Sequence, residues 1–158
     1  MALPVVIVPG ESVGPFKLGM SRAEVWAQDR SPIHAFFKTP MSKDRTDDVV
    51  KFGLHVYYDE DGRCDSIEAW TQTEHFHTTL LFGPHTLNGR SMKEVRDILK
   101  QSDIPFSQDA YGFTAPTIGL GFYCHDFESD EGSLDGIIIM KREPNQRTTD
   151  NSGTDCGR

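Results

Sequence analysis

The stretch Gly19-Met20-Ser21-Arg22-Ala23-Glu24-Val25 returns at an offset of 70 as Gly89-Arg90-Ser91-Met92-Lys93-Glu94-Val95. Both copies read G-x-S-x-x-E-V, and S-x-x-E is the pattern of a capping box. In it the Ser hydroxyl accepts from the backbone amide three residues on, while the Glu carboxylate accepts from the Ser amide. Each copy therefore predicts a helix start, with helices over Arg22–Asp29 and Met92–Gln101. In the second, Met92, Val95, Ile98 and Leu99 fall on one helical face, the face a core would cover.

The segments after the two helices also correspond. Val50, Phe52, Leu54, Val56 and Tyr58 alternate with the residues between them, which predicts a strand over Val50–Tyr58 with one buried face. Asp59-Glu60-Asp61-Gly62 supplies turn residues, and Cys64–Thr71 returns as the hairpin partner. After the second helix, Thr117–His125 places Ile118, Leu120, Phe122 and Cys124 on one face, and the loop Asp126–Ser133 leads to Leu134–Lys141. Gly53-Leu54 matches Gly119-Leu120 at an offset of 66, and Asp65-x-Ile67 matches Asp135-x-Ile137 at 70. Thr78–Gly83 and Asp109–Ala115 read as further strands. The expected fold is α+β: two fused helix-then-hairpin repeats, about 14–77 and 78–142, forming one antiparallel sheet with helices on one face. Residues 1–142 make that single domain. Between Glu143 and Arg158 only Cys156 is apolar, so 143–158 reads as a flexible C-terminal tail.

Composition narrows the function classes. Sixteen Lys and Arg against 24 Asp and Glu give a net charge of −8, the wrong sign for gripping a phosphate backbone, so no nucleic-acid partner is expected. Cys64, Cys124 and Cys156 cannot all pair within one chain, and none forms a CxxC step; free thiols in a reducing compartment fit better than a disulfide scaffold. The N-terminal run MALPVVIVPG has no Lys or Arg before its apolar residues and is interrupted by Pro4, Pro9 and Gly10. It reads as neither a signal peptide nor a membrane span, and the expected location is cytoplasmic.

The segment Phe16-Lys17-Leu18-Gly19-Met20-Ser21-Arg22-Ala23-Glu24-Val25 resembles the F-x-x-G-M-[ST]-x-x-x-V pattern of two related groups. These are the small lipoproteins of outer-membrane assembly and the tandem-repeat β-lactamase inhibitory proteins, and the resemblance implies helices packed on an antiparallel sheet. The second half, from GFTAPTIGLGFYCHD to LDGIIIMKR, resembles small bacterial proteins found beside polymorphic toxins and read as their immunity partners. The chain departs from the lipoproteins in lacking a lipobox, and from the β-lactamase inhibitors in lacking a secretion signal and paired cysteines. The resemblance therefore implies a cytoplasmic immunity protein.

Residues able to carry chemistry are few. On a strand, His75 and His77 would share a face at a spacing suited to two zinc ligands, with Cys64 or His55 as a third. No third ligand has a diagnostic spacing, so no metal and no cofactor are expected. Tyr123-Cys124-His125-Asp126 has the letters of a nucleophile, a base and an orienter, but neighbouring strand residues face opposite sides. Cys124 belongs instead with the inward set as a small buried hydrophobe. Asp59-Glu60-Asp61-Gly62 lacks the ligand spacing of a calcium loop.

The alternation also defines an outward face. If Leu54, Val56, Ile67 and Ala69 point inward, then His55, Tyr57, Glu68 and Trp70 point outward, joined by Tyr123, Ile138 and Met140 from the second half. Tyr, Trp and Met are enriched in interface cores. Asp47-Asp48, Asp59-Glu60-Asp61 and Glu128-Ser129-Asp130-Glu131 read as acidic loops around that face, suited to a cationic partner. The expectation is a non-catalytic immunity protein that binds a cognate toxin domain with a basic active-site surface. Its contact residues would be His55, Tyr57, Glu68, Trp70 and Tyr123, with Asp59, Glu60, Asp61, Glu128, Asp130 and Glu131 at the rim. The alternatives are a small hydrolase or metal-dependent enzyme centred on His75 and His77, and a secreted or envelope enzyme-inhibitor module.

Overall fold

Both capping boxes form. Ser21 Oγ accepts from the Glu24 amide at 3.2 Å and Glu24 Oε1 accepts from the Ser21 amide at 3.1 Å. Ser91 and Glu94 repeat this at 3.2 and 3.2 Å. The computed structural model describes residues 2–42, 44–71, 78–125 and 131–143. Helix α1 runs Arg22–Trp26 and α2 runs Met92–Gln101. The second helix has the expected length. The first ends before Asp29, whose side chain accepts from the Ser31 amide at 2.9 Å and meets Lys51 Nζ at 2.9 Å. Such forward bonding to the backbone competes with helix continuation.

The strands are β1 (Leu3–Val8), β2 (Ser12–Val13), β3 (Phe16–Lys17), β4 (Ile33–Phe36), β5 (Thr46–Val49), β6 (Leu54–Tyr58) and β7 (Cys64–Trp70). They continue as β8 (Thr78–Phe82), β9 (His85–Thr86), β10 (Ser107–Gln108), β11 (Gly112–Ala115), β12 (Leu120–Tyr123) and β13 (Gly136–Met140). The chain is thus a mixed α+β protein, mostly sheet, with two helices among the described residues.

The expected single antiparallel sheet is replaced by two. An eight-stranded sheet has the order β10-β11-β12-β13-β7-β6-β5-β4, and a five-stranded sheet has the order β3-β2-β1-β8-β9. The first is antiparallel throughout, with β7 and β13 adjacent at its centre and Glu68 opposite Ile138 at the middle of that ladder. The second contains a parallel pair, β1 with β8, in which Leu3 meets Thr78 and Ile7 meets Phe82. The N-terminal apolar run is therefore a core strand. Its partner lies far along the chain, and no local signal announces a parallel pairing of that span.

The hairpin β6–β7 forms as expected around the turn at Asp59, where Asp59 Oδ1 accepts from the Asp61 and Arg63 amides at 2.9 and 3.0 Å. Its first strand begins four residues later than the alternation predicts. Val50–Phe52 is a short 3-10 turn closed by Gly53 at φ +64°, a left-handed conformation that glycine takes without a Cβ clash. Val50 is consequently exposed, while Phe52 still reaches the core. Inward side chains of the large sheet (Leu54, Val56, Ile67, Ala69, Leu120, Phe122, Ile137 and Ile139) join Val5, Ile7, Phe16 and Leu80 of the small one. Val25 of α1 and Met92, Val95 and Leu99 of α2 belong to the same buried cluster. Cys64 and Cys124 are both free and buried in it; the burial of Cys124 is the one read from the sequence. No helix among the described residues is long and apolar enough to cross a membrane.

Candidate protein-binding face

The opposite surface of the eight-stranded sheet carries the side chains that the alternation places outward. Because β6, β7, β13 and β12 are adjacent, His55, Tyr57, Glu68, Trp70 and Tyr123 come together there, each only partly buried. Their rings stand edge to face: Trp70 lies 5.4 Å from His55 at 90° and 6.1 Å from Tyr123 at 86°. Phe36 of β4 continues the row, 5.2 Å from His55. Edge-to-face contacts of this kind satisfy ring quadrupoles and hold each ring in a defined orientation.

Glu68 is the polar centre of this face. Its Oε1 accepts from Tyr57 Oη at 3.0 Å, and Lys38 Nζ and His55 Nδ1 each lie 3.5 Å from the same oxygen. His55 Nε2 in turn is 3.8 Å from Asp48 Oδ1. Lys38 also donates to the Tyr57 hydroxyl and sits 4.5 Å above the Tyr57 ring. Burial alone would push the Glu68 carboxyl up, but the contacts with His55, Lys38 and Tyr57 outweigh it and hold the group below the usual carboxylate range. Burial, then the Glu68 charge, pushes the Tyr57 and Tyr123 hydroxyls up. Both phenols are therefore neutral donors at any physiological pH. Cys64 is pushed up to about 12 by burial, with Asp65 and Asp59 adding to it. A thiol so placed is no nucleophile.

Two glycines hollow out the second half of the face. A Cβ on Gly136 would fall 2.3 Å from Tyr123 Oη and 2.5 Å from Tyr123 Cζ, so the Tyr123 ring lies directly over bare backbone. Gly121 stands opposite Ile138 in the neighbouring ladder, where a Cβ would come within 3.0 Å of Ile138 Cγ2. Beside them opens a groove of about 720 Å³ lined by Glu68, Trp70, Tyr111, Tyr123, Cys124, His125 and Asp135.

The rim is arranged differently from the sequence reading. Asp47 and Asp48 belong to strand β5, not to a loop. Asp48 faces outward toward His55, whereas Asp47 is fully buried on the inner side. The error arises because a strand that seats a carboxylate in the core breaks the apolar alternation on which a strand is recognised. Asp59 spends its carboxylate on its own turn, and with Glu60 it lines a separate cavity of about 730 Å³ beside Lys38 and Tyr57. Asp61 and Glu131 are exposed. Glu128 and Asp130 lie outside the described residues, as do His75 and His77 of the metal alternative. Among the described residues no group of three or more His, Cys, Asp or Glu could hold a metal ion.

Lys38, Tyr111, Asp135 and Gly136 are members of this face that the sequence reading does not name. Asp135 had a signal, since it matches Asp65 in the sequence alignment of the two halves. Lys38 had none, because it arrives from the segment after β4, a strand without clear alternation. Comparison of the chain with family models, with curated proteins and with solved structures finds no match.

Proposed function

We propose that this chain is an immunity protein: it neutralises a cognate bacterial toxin domain by docking it on the outer face of the eight-stranded sheet, without catalysis, in the cytoplasm. The observation that carries the reading is the aromatic row His55–Trp70–Tyr123, held in fixed edge-to-face geometry on a half-open sheet face. Preorganised aromatic side chains lose little entropy on docking, and Trp and Tyr are the types that dominate interface energetics. The acidic net charge of −8 suits a basic partner surface and accelerates encounter with it.

We also read the chain as two fused helix-then-hairpin repeats. The matched capping boxes support this, as does the run of the large sheet outward from the central β7–β13 pair through β6, β5 and β4 on one side and β12, β11 and β10 on the other.

The test is to co-express the chain with the C-terminal domain of a toxin encoded beside it, score survival, and measure binding of the purified pair by calorimetry. Protection and a tight complex are expected. Trp70→Ala should weaken that complex by about thirty-fold or more, which is about 2–4 kcal/mol, while its place on the outer face, off the core cluster, keeps the fold. A chain that neither protects nor binds overturns the reading, and a Trp70→Ala variant that is folded and binds normally moves the interface off this face.

A further inference from the structure

We propose that β4 is a dimerisation strand: two copies of this chain pair edge to edge, β4 against β4, and join their eight-stranded sheets into one. β4 ends that sheet with β5 as its ladder partner, and among the described residues 33–37 make no backbone hydrogen bond beyond that ladder. A bare strand edge presents a row of N–H and C=O groups on which another strand can form. The other sheet ends are blunted, because β3, β9 and β10 have two residues each. β4 has four, and its sequence Ile-His-Ala-Phe holds no Lys, Pro or Gly to deter pairing. Apolar exposure gathers at the same place. Of the six large apolar side chains exposed among the described residues, four lie on or beside this edge. Phe37 extends β4 and is 56 % exposed, and Met41 stands in the connection to β5. Val50 follows Val49, which faces Ile33 across the ladder, and Trp26 donates to Asp47, which faces Ala35.

The occupant is a second copy because the strand is complementary to itself. Directly opposed residues of an antiparallel pair share a face, so a two-fold axis normal to the joined sheet must pass through a residue. Centred on Ala35, it sets Ile33 opposite Phe37 of the other copy on the inner side, and His34 opposite Phe36 of the other copy on the outer side. The smallest side chain of the strand then lies on the axis, where two identical residues meet. Ile33 packs on the core, so the pair covers the exposed Phe37 ring with apolar surface. Centring on His34 would instead draw Pro32 into the ladder, where it has no N–H to donate. Residues 32–37 contain no Asp, Glu, Lys or Arg, so no fixed like charges meet at the joint despite the net charge of −8. A two-fold contact closes on itself, so the pairing stops at two chains. Phe36, 5.2 Å from His55, ends each outer aromatic row at the joint, and the two rows become one surface.

The test uses the full chain with Cys156→Ser, in which the remaining thiols of Cys64 and Cys124 are buried. Sedimentation equilibrium should show a reversible dimer, at least half formed at about 100 μM chain. Phe37→Lys should weaken it by about ten-fold or more and leave the melting temperature unchanged, because this ring is outside the core cluster. Copper–phenanthroline oxidation of Ala35→Cys should give a disulfide-linked dimer, since opposed Cα atoms lie about 4.5–5.5 Å apart. His34→Cys should not crosslink, because its two copies are then diagonal neighbours about 7–8 Å apart. A chain that remains monomeric up to about 300 μM overturns the proposal. So does a folded Phe37→Lys chain that dimerises as the parent does, or crosslinking through His34→Cys and not through Ala35→Cys. Toxin binding enters none of these measurements, so the dimer and the docking reading stand or fall separately.

Discussion

The two capped helices begin alike and are held by opposite means. α2 is ten residues long and buries Met92, Val95, Ile98 and Leu99 along one face. α1 has five residues and buries only Val25. A helix so short has no independent stability, and one buried valine is little to anchor it. Its anchor is polar. Asp47, buried on β5, accepts from Trp26 Nε1 at 2.7 Å and from Tyr58 Oη at 2.6 Å, with Arg22 Nε 3.5 Å away. Arg22 also stacks 4.5 Å over the Tyr58 ring and donates to the Arg45 carbonyl at 2.6 Å. Where Asp47 pairs with Val56 across its ladder, the second half pairs Phe113 with Phe122, and Arg96 lies 5.3 Å over the Phe113 ring. One half ties its helix with a buried carboxylate, the other with an aromatic core. Similar local beginnings can therefore lead to different tertiary anchors, a buried carboxylate for the short helix and an apolar face for the long one.

Removing that carboxylate should break the comparison most visibly. Asp47→Ala leaves the Trp26 and Tyr58 donors without the buried acceptor they share and should cost about 3–5 kcal/mol in urea unfolding. Asp47→Asn keeps one carbonyl oxygen where Oδ2 accepts both donors and places its amide at Oδ1, which has no hydrogen-bond partner among the described residues. It should cost clearly less, about 1–3 kcal/mol. If both variants unfold alike, the charge opposite Arg22 is the anchor, and not the two hydrogen bonds.

The caps come next in size. Ser21→Ala and Ser91→Ala should each destabilise by about 0.5–2 kcal/mol, read as lowered melting temperatures in scanning calorimetry. Both caps have the same geometry, so similar losses are expected despite the difference in helix length. A loss confined to Ser91→Ala would mean that α1 is set by the Asp47 cluster alone.

The smallest effect is one of pH. A carboxyl held lower in the folded than in the unfolded chain stabilises fully above its unfolded pKa, about 4.3 for Glu, and loses that contribution as pH falls through the folded value. Glu68 is such a group. Glu68→Gln should therefore flatten the fall in stability below about pH 4.3 and alter its slope little at neutral pH. An unchanged acid limb would show that His55, Lys38 and Tyr57 do not favour its charged form.

What was legible in the sequence is what short-range physics controls. A capping box is closed by residues three apart, so Ser21, Glu24, Ser91 and Glu94 announce two helix starts wherever the rest of the chain goes. Side chains on a strand alternate strictly, so once Leu54, Val56, Ile67 and Ala69 are taken as inward, His55, Tyr57, Glu68 and Trp70 must share the other face. The alternation failed at Val50–Phe52, where Gly53 turns the chain through a left-handed conformation before the strand begins. Tertiary structure decided the rest. The pairing of Leu3–Val8 with Thr78–Phe82 is worth nothing until both segments reach the same core. A carboxylate is buried at Asp47 only because Trp26, Tyr58 and Arg22 arrive around it from other elements. Aspartate in a sequence ordinarily signals a solvated loop, and the neighbours that allow its burial are supplied by the fold, not by adjacent residues.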